Sequence, residues 1–262
     1  MPNILTKTLW DSRRSLIGFA VGTTLVGTMY AGFYPQVADG AMGQAVEGFS
    51  PALRDALNME DIGSAAGYLG SSVFGIIVPL IAVIYGIATG TRAIAGDEEA
   101  GYLDLLLAHP VSRTRLLLHR FGALAVGAFV LAGLVLLAML AIRNSVQLDS
   151  IGVDRFAAQC VALALLATLF GAVAITLGAA TGSRAVALGG SATVGVLGYA
   201  ANTFAAQIGA GGARYASPFH YYIGNEPLRS GFQWVDLGVL AAAIAVLVLL
   251  AITVFNRRDL TS

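Results

Sequence analysis

The densest run of ionisable residues in the chain is Asp97–Arg120, which reads DEEAGYLDLLLAHPVSRTRLLLHR. Adjacent carboxylates such as Glu98-Glu99 are one way to build acid–base chemistry. An intramembrane protease, however, would place such a pair inside an apolar segment with a histidine partner, and neither condition is met. His109, His119 and His220 are scattered, with no H-E-x-x-H pair and no spacing that converges on a metal. The only lysine is Lys7. It lacks the glycines that make a phosphate-cradling Gly-x-x-x-x-Gly-Lys-Ser/Thr loop. Cys160 is the single cysteine, so an intrachain disulfide and a thiolate metal cluster are both impossible. The expectation is a chain with no catalytic site, no metal site and no cofactor of its own. What remains is docking chemistry: three acids, then leucines at helical spacing, between two long apolar stretches.

Those stretches belong to a pattern that covers the whole chain. Charged residues make up 11% of the sequence and apolar residues 57%, with mean hydropathy +0.77; soluble proteins carry roughly 25% charged residues. A bilayer-spanning helix needs about 20 mainly apolar residues. Six segments meet that criterion: 15–34, 71–91, 121–142, 156–180, 186–208 and 235–255. None holds a Lys, Arg, Glu or His, and the only acid is Asp236 at the rim of the last. Proton- or ion-coupled carriers bury an ionisable residue in a span; none is buried here, so energy for transport would have to come from another chain. The predicted fold is an all-α membrane protein, a single domain over 1–262. The first segment is an uncleaved anchor rather than a signal peptide, since its apolar run exceeds the roughly 7–15 residues of a signal core and no A-x-A site ends it.

Six spans put both termini on one side. That side carries ten basic residues (Lys7, Arg13, Arg14, Arg92, Arg113, Arg115, Arg120, Arg184, Arg257 and Arg258), against Arg54, Arg143, Arg155, Arg214 and Arg229 on the other. The positive-inside rule places the termini, and the 97–120 segment with them, in the cytoplasm. Zero net charge gives no sign of a nucleic-acid partner.

Ahead of the first span, Ile4, Leu5, Leu9, Trp10 and Leu16 recur at helical spacing with Lys7, Asp11, Arg13 and Arg14 between them. The expectation is a helix lying in the cytoplasmic interface with Trp10 at headgroup level; the alternative is a plain extension of the first span. Ser50-Pro51 followed by Leu53 and Leu57 predicts a short outer helix ending near Asn58. Ser217-Pro218-Phe219-His220-Tyr221-Tyr222 predicts a structured outer segment dipping into the interface. Gly18/Gly22, Gly86/Gly90 and Gly178/Gly182 are each four apart, the spacing that lets helix backbones approach. They are expected to serve packing within the chain. Pro79 should kink the second span.

Within the 97–120 segment, Asp97, Glu98 and Glu99 are expected to open a short helix, where acids favour the amino end. Tyr102, Leu103, Leu106 and Leu107 would form its apolar face, Pro110 its stop and Ser112 the cap of the next helix, with Arg113, Arg115 and Arg120 at the start of the third span. Glu98-Glu99-x-Gly101-x-Leu103-x-x-Leu106-Leu107-x-x-Pro110-x-Ser112-Arg113 resembles the segment between the second and third spans of type-2 ABC exporter permeases. The resemblance extends to six spans, an amphipathic amino-terminal helix, the Ser-Pro-Phe-His stretch at Ser217–His220, and Arg257-Arg258-Asp259-Leu260. Tyr102 stands where a threonine is common, and Arg120 where a lysine is common.

The resemblance implies that this segment is a coupling helix docking in a groove of a separate ATP-binding subunit, which binds ATP and Mg. Two permeases, identical or homologous, would work with two ATPases in the plasma (inner) membrane of a bacterium. The uncharged spans fit export of a hydrophobic or amphipathic compound, such as a drug, an antibiotic or a lipid. A membrane scaffold without a transport path is the alternative from a different class.

Overall fold

The structure, a computed structural model, describes residues 4–39, 50, 63–101, 112–204 and 209–258. Every regular element among them is helical. α1 (Ile4–Ala31) is followed by the short α2 (Tyr34–Ala38). The long rod α3 (Ala65–Glu99) comes next, then α4 (Arg113–Ile142), α5 (Val153–Thr181) and α6 (Arg184–Phe204). A 3-10 turn (Gly211–Ala216) leads to α7 (Pro218–Ile223), α8 (Pro227–Ser230) and α9 (Trp234–Arg257). The outer helix expected between Ser50 and Asn58 lies outside the described residues, Ser50 apart.

One expectation is corrected by these elements. No separate interfacial helix precedes the first span: α1 runs unbroken for 28 residues. No glycine or proline falls between Ile4 and Ile17, so nothing interrupts the helical hydrogen bonds. At 1.5 Å per residue α1 is about 42 Å long, and its polar first turns extend past a hydrocarbon core of about 30 Å. Among the described residues, five helical stretches are long and apolar enough to cross a bilayer: Thr6–Ala38, α3, α4, α5 and α9. α6 has 21 residues. However, Gly189, Gly190, Ser191, Thr193, Gly195, Gly198, Tyr199 and Asn202 dilute its apolar character.

α5 is the central helix: 72% of its most apolar window is buried, against 22% for α1. It packs on α3, α4, α6 and α9. Its closest partner is α3, and the reason is glycine. A Cβ on Gly86 would overlap the Ala167 carbonyl oxygen, and one on Gly90 would overlap that of Gly171. A Cβ on Gly178 would sit 3.3 Å from the Ala95 side chain. Both sequences advance together through these contacts, so α3 and α5 are parallel neighbours at near-backbone contact, as the small-residue spacing predicts. α4 returns antiparallel to α3, and the Tyr85 hydroxyl donates to the Leu124 carbonyl at 3.5 Å. Gly18 and Gly22 differ from the other pairs. A Cβ on either meets nothing within 4 Å. They line an open groove with Ser15, Phe19, Val26 and Ile81, so the expected packing role within the chain does not hold for this pair.

Pro79 sits where the rod changes hydrogen-bond register. Leu69–Ile77 is π-helical, and the Val78 amide donates to Val73, five residues back. In that register the next amide, residue 79, would serve the Phe74 carbonyl, but proline has no N–H to give. The hydroxyl of fully buried Tyr222, in α7, donates to Phe74 O at 2.9 Å instead. A second π-helical turn, Arg92–Gly96, immediately precedes the acids; such turns are frequent at functional sites.

The bundle therefore has two distinct ends. At one, Tyr34 donates to Gly63 O at 3.2 Å, Tyr68 to Tyr30 O at 2.9 Å, and Asn225 to Asp236 at 2.7 Å. At the other lie the start of α1, the ends of α3, α5 and α9, and the starts of α4 and α6.

Candidate functional site

The acidic triplet lies at that second end, but not where the sequence pattern put it. Asp97, Glu98 and Glu99 form the last turn of α3, not the first turn of a new helix. The physical reason is Gly101. Its φ of +70° is a left-handed conformation that glycine adopts without penalty, and it terminates the helix just after the Ala100 cap. The Gly101 amide donates to Glu98 O at 3.0 Å and the Ala100 amide to Gly96 O at 3.2 Å. Acids at a carboxyl terminus face about half a negative charge from the helix dipole. Left alone, the triplet would destabilise α3.

It is not left alone. Asp97 forms an ion pair with Arg120 of α4, and Glu98 one with Arg258 after α9. The four side chains are only 16–24% exposed. These pairs are therefore screened less than surface pairs, whose median worth is about 0–1 kcal/mol. Glu99 Oε1 accepts from the Arg184 backbone amide at 2.8 Å, so it caps the amino end of α6 from another helix. The Asp11 carboxylate of α1 repels that of Asp97, which places the start of α1 beside the same cluster.

Helix carboxyl ends are satisfied across the chain in the same manner. Arg258 Nη1 donates to Ala179 O at 3.0 Å and Gly178 O at 3.3 Å, the terminal carbonyls of α5. Arg113 Nη1 donates to Phe255 O at 3.1 Å and Arg258 O at 2.7 Å, the terminal carbonyls of α9. Asn256 donates to the Thr114 hydroxyl at 3.0 Å. These carbonyls would otherwise lack partners, and a cation there also complements the dipole. Gly182, at φ +68°, turns the chain from α5 to α6 tightly against the Glu98–Arg258 pair: a Cβ there would lie 2.6 Å from Glu98 Oε1 and 2.8 Å from Arg258 Nη2. Ser112 caps α4 as expected, its Oγ accepting from the Arg115 amide at 3.3 Å.

Of the residues singled out in the sequence, Glu98, Glu99, Gly101, Ser112 and Arg113 are thus gathered at one end of the bundle. Leu103, Leu106, Leu107 and Pro110 lie outside the described residues. Trp10 is 67% exposed on α1, with the Arg13 guanidinium 3.8 Å over its ring, and Arg14 is exposed beside it. Pro218, Phe219 and His220 are at the opposite end. There Ser217 caps α7, accepting from the Phe219 amide at 3.1 Å. Phe219 is buried between Phe170 and Tyr199. Burial and the nearby Arg214 lower the pKa of His220, partly offset by Asp236.

Sequence reasoning missed Arg184 and Gly182 as members of the cluster and read Arg120 and Arg258 only as flanking charge. A faint signal existed: acids at the end of one apolar segment and arginines at the ends of three others balance at one face. Among the described residues, no group of three His, Cys, Asp or Glu side chains is placed to hold a metal ion.

The acidic end of α3 is thus tied to four helices, α4, α5, α6 and α9. Comparison with curated proteins gives no match. Comparison with family models matches residues 2–260, nearly the entire chain, to the model described as ABC-2 family transporter protein. The chain therefore belongs to the ABC-2 family of transporter proteins, whose members are membrane permeases.

Proposed function

We propose that this chain is the membrane-spanning permease subunit of an ATP-driven exporter, that Asp97–Ser112 carries its coupling helix, and that a separate ATPase docks there. The observation that carries the reading is the cluster just described. The acids at the root of the segment are joined to Arg120, Arg184 and Arg258, so a displacement of the segment reaches α4, α5, α6 and α9. Leu103, Leu106 and Leu107 fill a groove of the ATPase. Exposed Glu99 lies at its rim. ATP-driven closure of two ATPases then switches access between two permeases.

Six crossings are supported by the course of α6. It starts at the Glu99 cap and reaches Ser217 and Pro218, which pack against Gly198. With α6 counted, the start of α1 and the end of α9 fall on one side. The excess of arginine there supports a cytoplasmic placement of that side, in the plasma membrane of a bacterium on this reading. The open groove at Gly18 and Gly22, flanked by exposed Ile17, Val21 and Leu25, supports a second permease lying along α1. Uncharged spans fit a hydrophobic or amphipathic substrate.

The test is Leu106→Ala combined with Leu107→Ala. Truncating a buried anchor costs on the order of 2 kcal/mol or more, about thirty-fold in affinity. The double variant should insert in the membrane but release the ATPase. Wild-type assembly and export by this variant would reject the coupling assignment. An ATPase that binds tightly without ATP-dependent export would favour a scaffold instead.

A further inference from the structure

Resting on the permease reading, we infer that Arg258 is a positioning residue: it transmits the movement of the coupling segment to α5 and α9, acting through its ion pair with Glu98. Arg258 makes three kinds of contact, two through its guanidinium and one through its backbone. Its Nη2 pairs with Glu98 at the root of the coupling segment. Its Nη1 holds the last carbonyls of α5, Gly178 and Ala179. Its own backbone carbonyl accepts from Arg113 at the start of α4.

Geometry makes this arrangement tight rather than incidental. Gly182 leaves no room for a Cβ beside the pair, and both side chains are largely withdrawn from water. A planar fork is needed to engage a carboxylate and two carbonyls at once; a lysine ammonium lacks that fixed geometry. The carbonyls of Gly178 and Ala179 end the helix that contacts α3 along Gly86 and Gly90. A pull on Glu98 consequently acts at the foot of α5 as well as along its length. Neutralising Arg258 breaks the tie between Glu98 and the foot of α5.

The experiment uses the complex recovered through a tag on this chain, with the ATPase that co-purifies, in lipid vesicles. Cys160 is replaced by alanine and Gly212→Cys supplies a thiol in the turn at the opposite end. The probe is a membrane-impermeant maleimide, and its labelling rate is compared without nucleotide and after trapping with ATP and vanadate. In the parent complex trapping should change the rate several-fold. Arg258→Gln and Glu98→Gln remove the charge of each side chain and leave a polar amide in its place. Both should retain the ATPase and hydrolyse ATP within about twofold of the parent, while the trapping effect falls to less than a third. Arg258→Lys should recover it in part. A full trapping effect in Arg258→Gln or in Glu98→Gln overturns the inference. So does loss of ATPase binding in Glu98→Gln and Arg258→Gln alike, because that makes the pair part of the docking surface. Failure of the permease reading would look different: the parent complex itself would contain no ATPase and show no trapping effect.

Discussion

Tyr222→Phe is the most exacting test of how the rod α3 is held. The substitution removes one oxygen from a side chain with no exposed surface and leaves the ring in place, so no cavity penalty enters. Its hydroxyl donates to Phe74 O at 2.9 Å, in the register position that Pro79 cannot serve. A buried acceptor left without its donor costs about 1–3 kcal/mol in water-soluble proteins. Within membrane bundles, interhelical hydrogen bonds measured by double-mutant cycles average about 0.6 kcal/mol. Between these limits we expect about 1–2 kcal/mol, a five- to thirty-fold shift of the unfolding equilibrium, read by titrating the purified protein from mild detergent into SDS. The decisive arm is Pro79→Ala, which restores an N–H at the register position of the missing donor. In that background Tyr222→Phe should cost less than half as much. Equal losses in the two backgrounds would refute the claim that the tyrosine stands in for the proline amide.

Gly90→Val should destabilise the fold by about 1–3 kcal/mol, the usual cost of overpacking, because a Cβ there overlaps the Gly171 carbonyl oxygen. Gly18→Val should leave the SDS midpoint of the isolated chain nearly unchanged and instead weaken permease pairing, scored by crosslinking. Acidification supplies another check at the opposite end of the bundle. The folded pKa of His220 lies below its ordinary value of 6.5, so the unfolded chain takes up its proton first. Stability from this group is complete above about pH 6.5 and is lost as pH falls toward the folded pKa, and His220→Gln should flatten that part of the profile. For orientation, a cysteine at Ser112 should react only from the cytoplasm and one at Asn58 only from outside; the reverse pattern would invert the topology.

Helices were the legible part of this chain, since runs of about 20 apolar residues have few other uses. The Gly86/Gly90 contact was legible too, because four-residue spacing of glycines has one main structural use in a span. The acids were misread for a reason that is itself instructive. Their preference for helix amino ends is local and worth well under a few kcal/mol, whereas Arg120 and Arg258 come from far along the sequence and reverse it. Gly101 marked the boundary, yet a lone glycine does not say whether the helix lies before it or after it. Continuity of α1 was hidden by its charges, which read as a separate amphipathic helix but only mark where the rod leaves the apolar layer. α6 shows the converse problem, a helix whose glycines weaken the compositional signal without breaking the element.

The parallel seam between α3 and α5 carries a thermodynamic obligation. With Gly86 and Gly90 against the α5 backbone, small shifts of one helix cannot be absorbed by side chains, so the two share one free-energy surface from Glu98 to the buried Gln159 and Tyr222. Any ligand that favours one placement of this pair, at either end, changes the affinity at the other end by the same factor. If a compound binds near α7 and a partner docks at the acidic root, each changes the other's affinity by the same factor. Measuring either binding constant in the presence of the other ligand gives both.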